Sequence, residues 1–107
     1  MLPSQIVEEI ARLTQENSRG AEALFAAEVA LAEAEHELDS VEQKAFIRSE
    51  GTVADRTALA RLESADARLQ RDLRKAELNR IKTKIKTIET SLMALGTQVK
   101  LMQAEMR

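Results

Sequence analysis

Apolar and polar positions recur with helical spacing along almost the whole of this chain. In the first half, Ile6, Ile10, Leu13, Asn17, Gly20, Leu24, Ala27, Leu31, Ala34, Leu38, Val41 and Ala45 follow one another at steps of three and four. That alternation keeps one stripe of an α-helix turned toward a partner. In the second half, Ile81, Ile85, Ile88, Leu92, Leu95, Val99, Met102 and Met106 keep a strict four-three alternation, the mark of a coiled-coil seam. Upstream, Leu62, Leu69 and Leu73 join that seam only through an extra four-residue step near Glu77. Such a stutter locally unwinds a supercoil.

The strongest turn signal separates these two patterns. Gly51 suits the left-handed position just past a helix C-terminus. Thr52 follows as a hydroxyl cap, with Asp55 three residues on in place of the Glu or Gln of a full capping box. Ser4 is the expected cap of the first helix, with Glu8 and Glu9 early in it, where the helix dipole favours negative charge. The parse is one domain over residues 1–107: a helix at about 4–50, a turn at 50–52 and a helix at about 53–106. Asn17-Ser18-Arg19-Gly20 is the point where the first helix would kink or break, since an internal Gly costs about 1 kcal/mol relative to Ala; Gly96 raises a smaller version of the same question.

A short turn makes neighbouring helices antiparallel, so residues whose numbers sum to about 103 lie side by side. The expected fold class is therefore all-α, a long antiparallel helical hairpin of coiled-coil type. One hairpin leaves apolar surface uncovered, above all the Ala-rich first helix with Phe25, Val29 and Leu31. Dimerisation into a four-helix bundle is the expectation. The candidate oligomer seam is Leu24, Ala27, Leu31, Ala34, Leu38, Ile81, Ile85, Ile88 and Leu92.

Composition supports this class. The aromatic residues are Phe25 and Phe46, with no Trp or Tyr, and Pro3 is the single proline. A compact globule draws on more aromatic volume than that. The absence of cysteine removes disulfides, thiolate metal sites and thiol nucleophiles. No apolar run approaches the ~20 residues of a membrane span, and the N-terminal stretch lacks a secretory pattern. The expected location is cytoplasmic.

The net charge of −2 conceals two unlike halves. Residues 1–50 hold eleven acidic and four basic side chains, net −7; residues 51–107 hold seven acidic and twelve basic, net +5. In the antiparallel register, acids of residues 22–42 run beside bases of residues 61–80. Arg68, Arg71, Arg74 and Lys75 are thus expected to be neutralised along the hairpin. Lys82, Lys84 and Lys86 are not, because they face residues 15–20, where Glu16 is the only acid and Arg19 adds positive charge. Arg19 and Arg80 complete this basic set. Together these residues are the candidate contact for a partner protein or a phosphate backbone.

No catalytic constellation is visible. His36 is the single histidine, the acids Glu33 and Glu37 read as a solvated helix face, and no Ser or Thr has a base to activate it. Glycines 20, 51 and 96 are isolated, so no phosphate-cradling loop exists. The expectation is a protein without enzymatic activity, cofactor or metal. Met93, Met102 and Met106 read as seam filling, with an adaptable docking surface as the alternative.

The stretches KAFIRSEGTVADRTALARLESADARL and LNRIKTKIKTIETSLMALGTQ, within residues 44–98, resemble small helical proteins of tailed bacteriophages, often encoded beside recombination or single-strand-annealing genes. The features that carry the resemblance are EGTVADR at the turn and the basic RIKTKIK that follows. The resemblance implies an early phage protein; it brings no established activity or catalytic residue with it. Two functions stand: an interaction or adaptor protein that binds a phage or host protein and modulates recombination or defence, and a nucleic-acid-binding accessory that uses the basic flank.

Overall fold

The computed structural model describes residues 2–106. Its elements are α1 (Pro3–Arg48), α2 (Val53–Glu63) and α3 (Ala65–Glu105), with no strand among the described residues. The all-α helical-hairpin class read from the sequence is the one observed. Among the described residues no helix is long and apolar enough to cross a membrane.

The chain forms two compact units, Met1–Phe25 with Arg80–Arg107, and Ala26–Asn79. In the first, α1 and α3 pack antiparallel around Ile6, Leu13, Ile88 and Leu95, with Ile10, Leu92, Val99 and Met102 against them. Met106 lies outside this seam, 86% exposed. Gly20 sits opposite Ile85, and a Cβ on it would stand 3.0 Å from Ile85 Cγ1. The glycine lets the two helices approach closely. That packing carries α1 through residues 17–20 without a break.

The second unit contains the turn. Gly51 adopts φ 113°, the region that favours glycine. Thr52 caps α2, its hydroxyl accepting from the Asp55 backbone N–H at 3.1 Å. The end of α1 is closed by side chains: the Phe46 carbonyl accepts from Ser49 Oγ at 2.9 Å and from the Arg56 guanidinium at 2.9 and 3.2 Å. Arg56 also lies 4.2 Å above the Phe46 ring, a cation–π contact. These bonds satisfy an otherwise open carbonyl and tie the start of α2 to the end of α1.

Four expectations need correction. The first helix ends at Arg48. Its cap is not Ser4: Pro3 already stands in the first turn, and Leu2 N–H donates to Gln5 Oε1 at 2.9 Å. Proline suits that position because its missing N–H has no helical partner there.

The other two concern the second half. The expected single helix is divided at Ser64, with φ −91° and ψ 7°. Ser64 is fully buried, and its Oγ reaches the Arg61 carbonyl at 3.2 Å. A hydroxyl that bonds back into the helix competes with the backbone ladder and bends it. Finally, Leu62, Leu69 and Leu73 do not enter the seam; they are 73%, 54% and 51% exposed. Ala60, Ser64, Ala67, Arg71 and Leu78 occupy it instead. The heptad phase therefore continues back from Ile81 without a stutter, with Arg74 as the one exposed position on the row. The large aliphatic seam downstream sets the phase, and Ser64, with Arg68 bonded to Glu42, holds it upstream.

Candidate functional site

Every seam position read on the first helix is buried or half-buried, and so are Ile81, Ile85, Ile88 and Leu92. The candidate oligomer residues Leu24, Ala27, Leu31, Ala34 and Leu38 are thus covered, wholly or in part, within one chain. The large apolar side chains that remain outside include Phe25 and Val29, 68% and 40% exposed, on the Ala-rich first helix where uncovered surface was expected. In the second unit Leu59, Leu62, Leu69 and Leu73 stand 40–73% exposed. Their spacing places Leu59 and Leu62 on one side of α2, and Leu69 and Leu73 on one side of α3. Asp66 falls between the two pairs. Their helical spacing was readable in the sequence; their exclusion from the core was not.

The expected basic contact is split by helix geometry. Arg19, Arg80, Lys82, Lys84 and Lys86 are all exposed. Lys82 and Lys86, four residues apart, share one side of α3, and Arg80 and Lys84 share another. Positions two apart do not face together. Among the described residues Lys82, Lys84, Lys86 and Arg19 form no ion pair, whereas Arg80 is engaged. The expected charge ladder along the second unit is represented by Arg68 with Glu42 at 2.9 Å. Arg71 instead bonds its neighbour Asp72 at 2.7 Å, and Arg48 on α1 meets Glu63 on α2 at 3.1 Å.

The Glu42–Arg68 pair forms part of one wall of an open groove of about 750 Å³ in the second unit. Leu38, Phe46, Ile47 and Ala60 supply apolar surface; Arg61, Arg68 and Arg71 supply charge, with Asp39 and Glu42 opposite in sign. Arg68 is locked in place: one nitrogen donates to Glu42 and to Ser64 Oγ at 3.0 Å, and the other to the Arg61 carbonyl at 3.4 Å. Among the described residues no buried side-chain N or O lacks a partner. These mutual hydrogen bonds fix the side chains that form the groove wall.

In the first unit Arg12 bonds Glu9 and Glu16 along one helix face. Its guanidinium holds the Glu9 carboxyl below the ordinary carboxylate range, mainly through their hydrogen bond. Arg12 is itself raised by the same contact. His36 is exposed, and among the described residues no group of three or more His, Asp or Glu is placed to hold a metal ion. The arrangement offers surfaces: an outward leucine row, a groove with cationic walls, and two short basic ledges. No family model, curated protein or solved structure matches the chain.

Proposed function

We propose that this chain is a non-enzymatic helical interaction protein, acting as a homodimer that binds a phage or host protein in the cytoplasm. The observation that supports it best is the leucine row Leu59, Leu62, Leu69 and Leu73, exposed although the chain closes its own seam. A row of exposed apolar side chains, here interrupted by Asp66, suits an association surface. A second helix that covers the row and completes a four-helix bundle is the simplest occupant, and it must leave Asp66 in water or meet it with a base. The resemblance to small phage proteins supports a role beside recombination or defence. Light scattering at micromolar concentration tests the dimer, with a mass of twice the 11.9 kDa chain expected. A monomer at that concentration contradicts it.

A second reading, a nucleic-acid-binding accessory, is favoured by Lys82, Lys84 and Lys86, exposed and without ion partners. Phosphate binding would weaken steeply with salt. Binding to a short single-stranded oligonucleotide, lost on changing all three lysines to Glu, would support this reading over the first.

A further inference from the structure

We propose that the groove beside the turn takes an acidic peptide segment carrying a large apolar side chain. The inference rests on the interaction reading and names the chemistry of the partner segment. Volume comes first. About 750 Å³ lies within the range of pockets that anchor small ligands and peptide side chains. Leu38 and Ala60 in its lining are buried in the seam, while Ile47 stands 74% exposed. An entering apolar side chain would therefore meet preformed apolar surface and cover Ile47.

The charges of the groove favour an acidic occupant. Three lining arginines face two lining carboxylates, and Glu42 is already committed to Arg68. Arg61 makes no side-chain hydrogen bond or ion pair among the described residues; its carbonyl, not its guanidinium, is used. Arg71 spends its Nε on Asp72, which leaves its two terminal nitrogens available. The open donors are thus two guanidinium groups, suited to bidentate bonds with carboxylates. A polyanion is a poorer fit, because Asp39 and Glu42 line the same groove and no exposed aromatic platform accompanies it for stacking bases. Arg68, fixed by Glu42 and Ser64, keeps the wall preformed, so little ordering accompanies binding.

The test uses the full chain and a short fluorescein-labelled peptide with a central Phe-Leu pair and Asp residues on both sides. Anisotropy is read for this peptide, for one with Lys replacing Asp, and for one with Ala replacing the apolar pair. The protein variants are Arg61→Glu and Ile47→Asp, both at exposed positions, with circular dichroism confirming unchanged helicity. Binding of the acidic apolar peptide to the wild type is expected, with each control peptide and each variant about tenfold weaker or more, the size of a lost charge-assisted bond. Absence of wild-type binding, or equal affinity for the control peptides or the variants, overturns the proposal. Displacement of the peptide by an equimolar single-stranded oligonucleotide assigns the groove to nucleic acid and also overturns it. A halved light-scattering mass for Arg61→Glu assigns it to a second copy, with the same consequence. If the peptide fails while the wild type still self-associates, the groove assignment falls and the interaction reading stands.

Discussion

The two units of this molecule solve helix packing with different side chains. In Met1–Phe25 with Arg80–Arg107, large aliphatic residues fill the seam: Ile6, Leu13, Ile88 and Leu95 are buried. In Ala26–Asn79 the buried positions include Ala27, Ala45, Ala60 and Ser64, with Leu38 and Leu78 as the large members. There the leucines at 59, 62, 69 and 73 point outward. Burial of a Leu or Ile side chain contributes roughly 1.5–3 kcal/mol, and Ala far less. The first unit thus fills its seam with large aliphatic side chains, although Leu2, Val7, Phe25, Met93, Leu101 and Met106 stay exposed. The second packs smaller side chains in its seam, supported by the Thr52 cap and the Ser64–Arg68–Glu42 network, and leaves its leucines at 59, 62, 69 and 73 exposed.

Substitution of seam and surface residues is the sharpest way to break this contrast. Ile88→Asp, at a position only 5% exposed, should cost about 3 kcal/mol or more, because an unpaired charge is buried. Leu62→Asp, at a position 73% exposed, should leave the helicity of the chain nearly unchanged. Circular dichroism melts compare the two; equal losses would show that the leucine row is internal after all.

The turn comes next in size. Gly51→Ala places a Cβ at φ 113° and 3.3 Å from Asp55 Oδ2, and should destabilise by about 1 kcal/mol or more. Thr52→Ala removes the cap and should cost about 1 kcal/mol. Urea denaturation measures both. Losses near zero would mean that the turn is held by Arg56 and Phe46 alone.

Glycine replacement inside the helices gives smaller effects of differing size. At Gly96 a Cβ meets nothing within 4 Å, so Gly96→Ala should stabilise by about 0.5–1 kcal/mol through helix propensity. At Gly20 the same gain is opposed by Ile85, 3.0 Å away, and the net change should be smaller or reversed. A larger gain at Gly20 than at Gly96 would contradict the close approach there.

The smallest effect concerns pH. Arg12 lowers the Glu9 carboxyl below its ordinary value of 4.5. A group with a lowered folded value contributes stability above its unfolded value and loses it as pH falls through the folded one. Glu9→Gln should therefore lower the urea midpoint slightly at neutral pH and not at all in acid below both values. Exposed pairs contribute little, so the difference is expected to be small.

Much of the architecture was legible because few residues can serve at the positions that define it. The first-helix seam, Gly51 in the left-handed region and Thr52 as a cap follow from spacing and backbone preference. Ser64 was not legible, because hydrophobicity argued for Leu62 and Leu69 inside. Carrying the strict four-three alternation back from Ile81 lands on Leu78, Arg74, Arg71, Ala67, Ser64 and Ala60; all but Arg74 are buried or half-buried, and phase prevails over side-chain size. The division of the lysines was legible: Lys82 and Lys84 are two residues apart, and a helix sends such pairs to different sides. The groove was not legible, since its lining comes from residues of α1, α2 and α3 joined only by the hairpin.

One measurement tests the central claim that the outward leucines exist to meet another helix. Light-scattering mass is compared at micromolar concentration for the wild type and for a Leu62→Asp, Leu69→Asp double variant, with helicity monitored in parallel. The account predicts a dimeric wild type and a monomeric variant that keeps its helical content. A monomeric wild type, or a variant that remains dimeric, would contradict it.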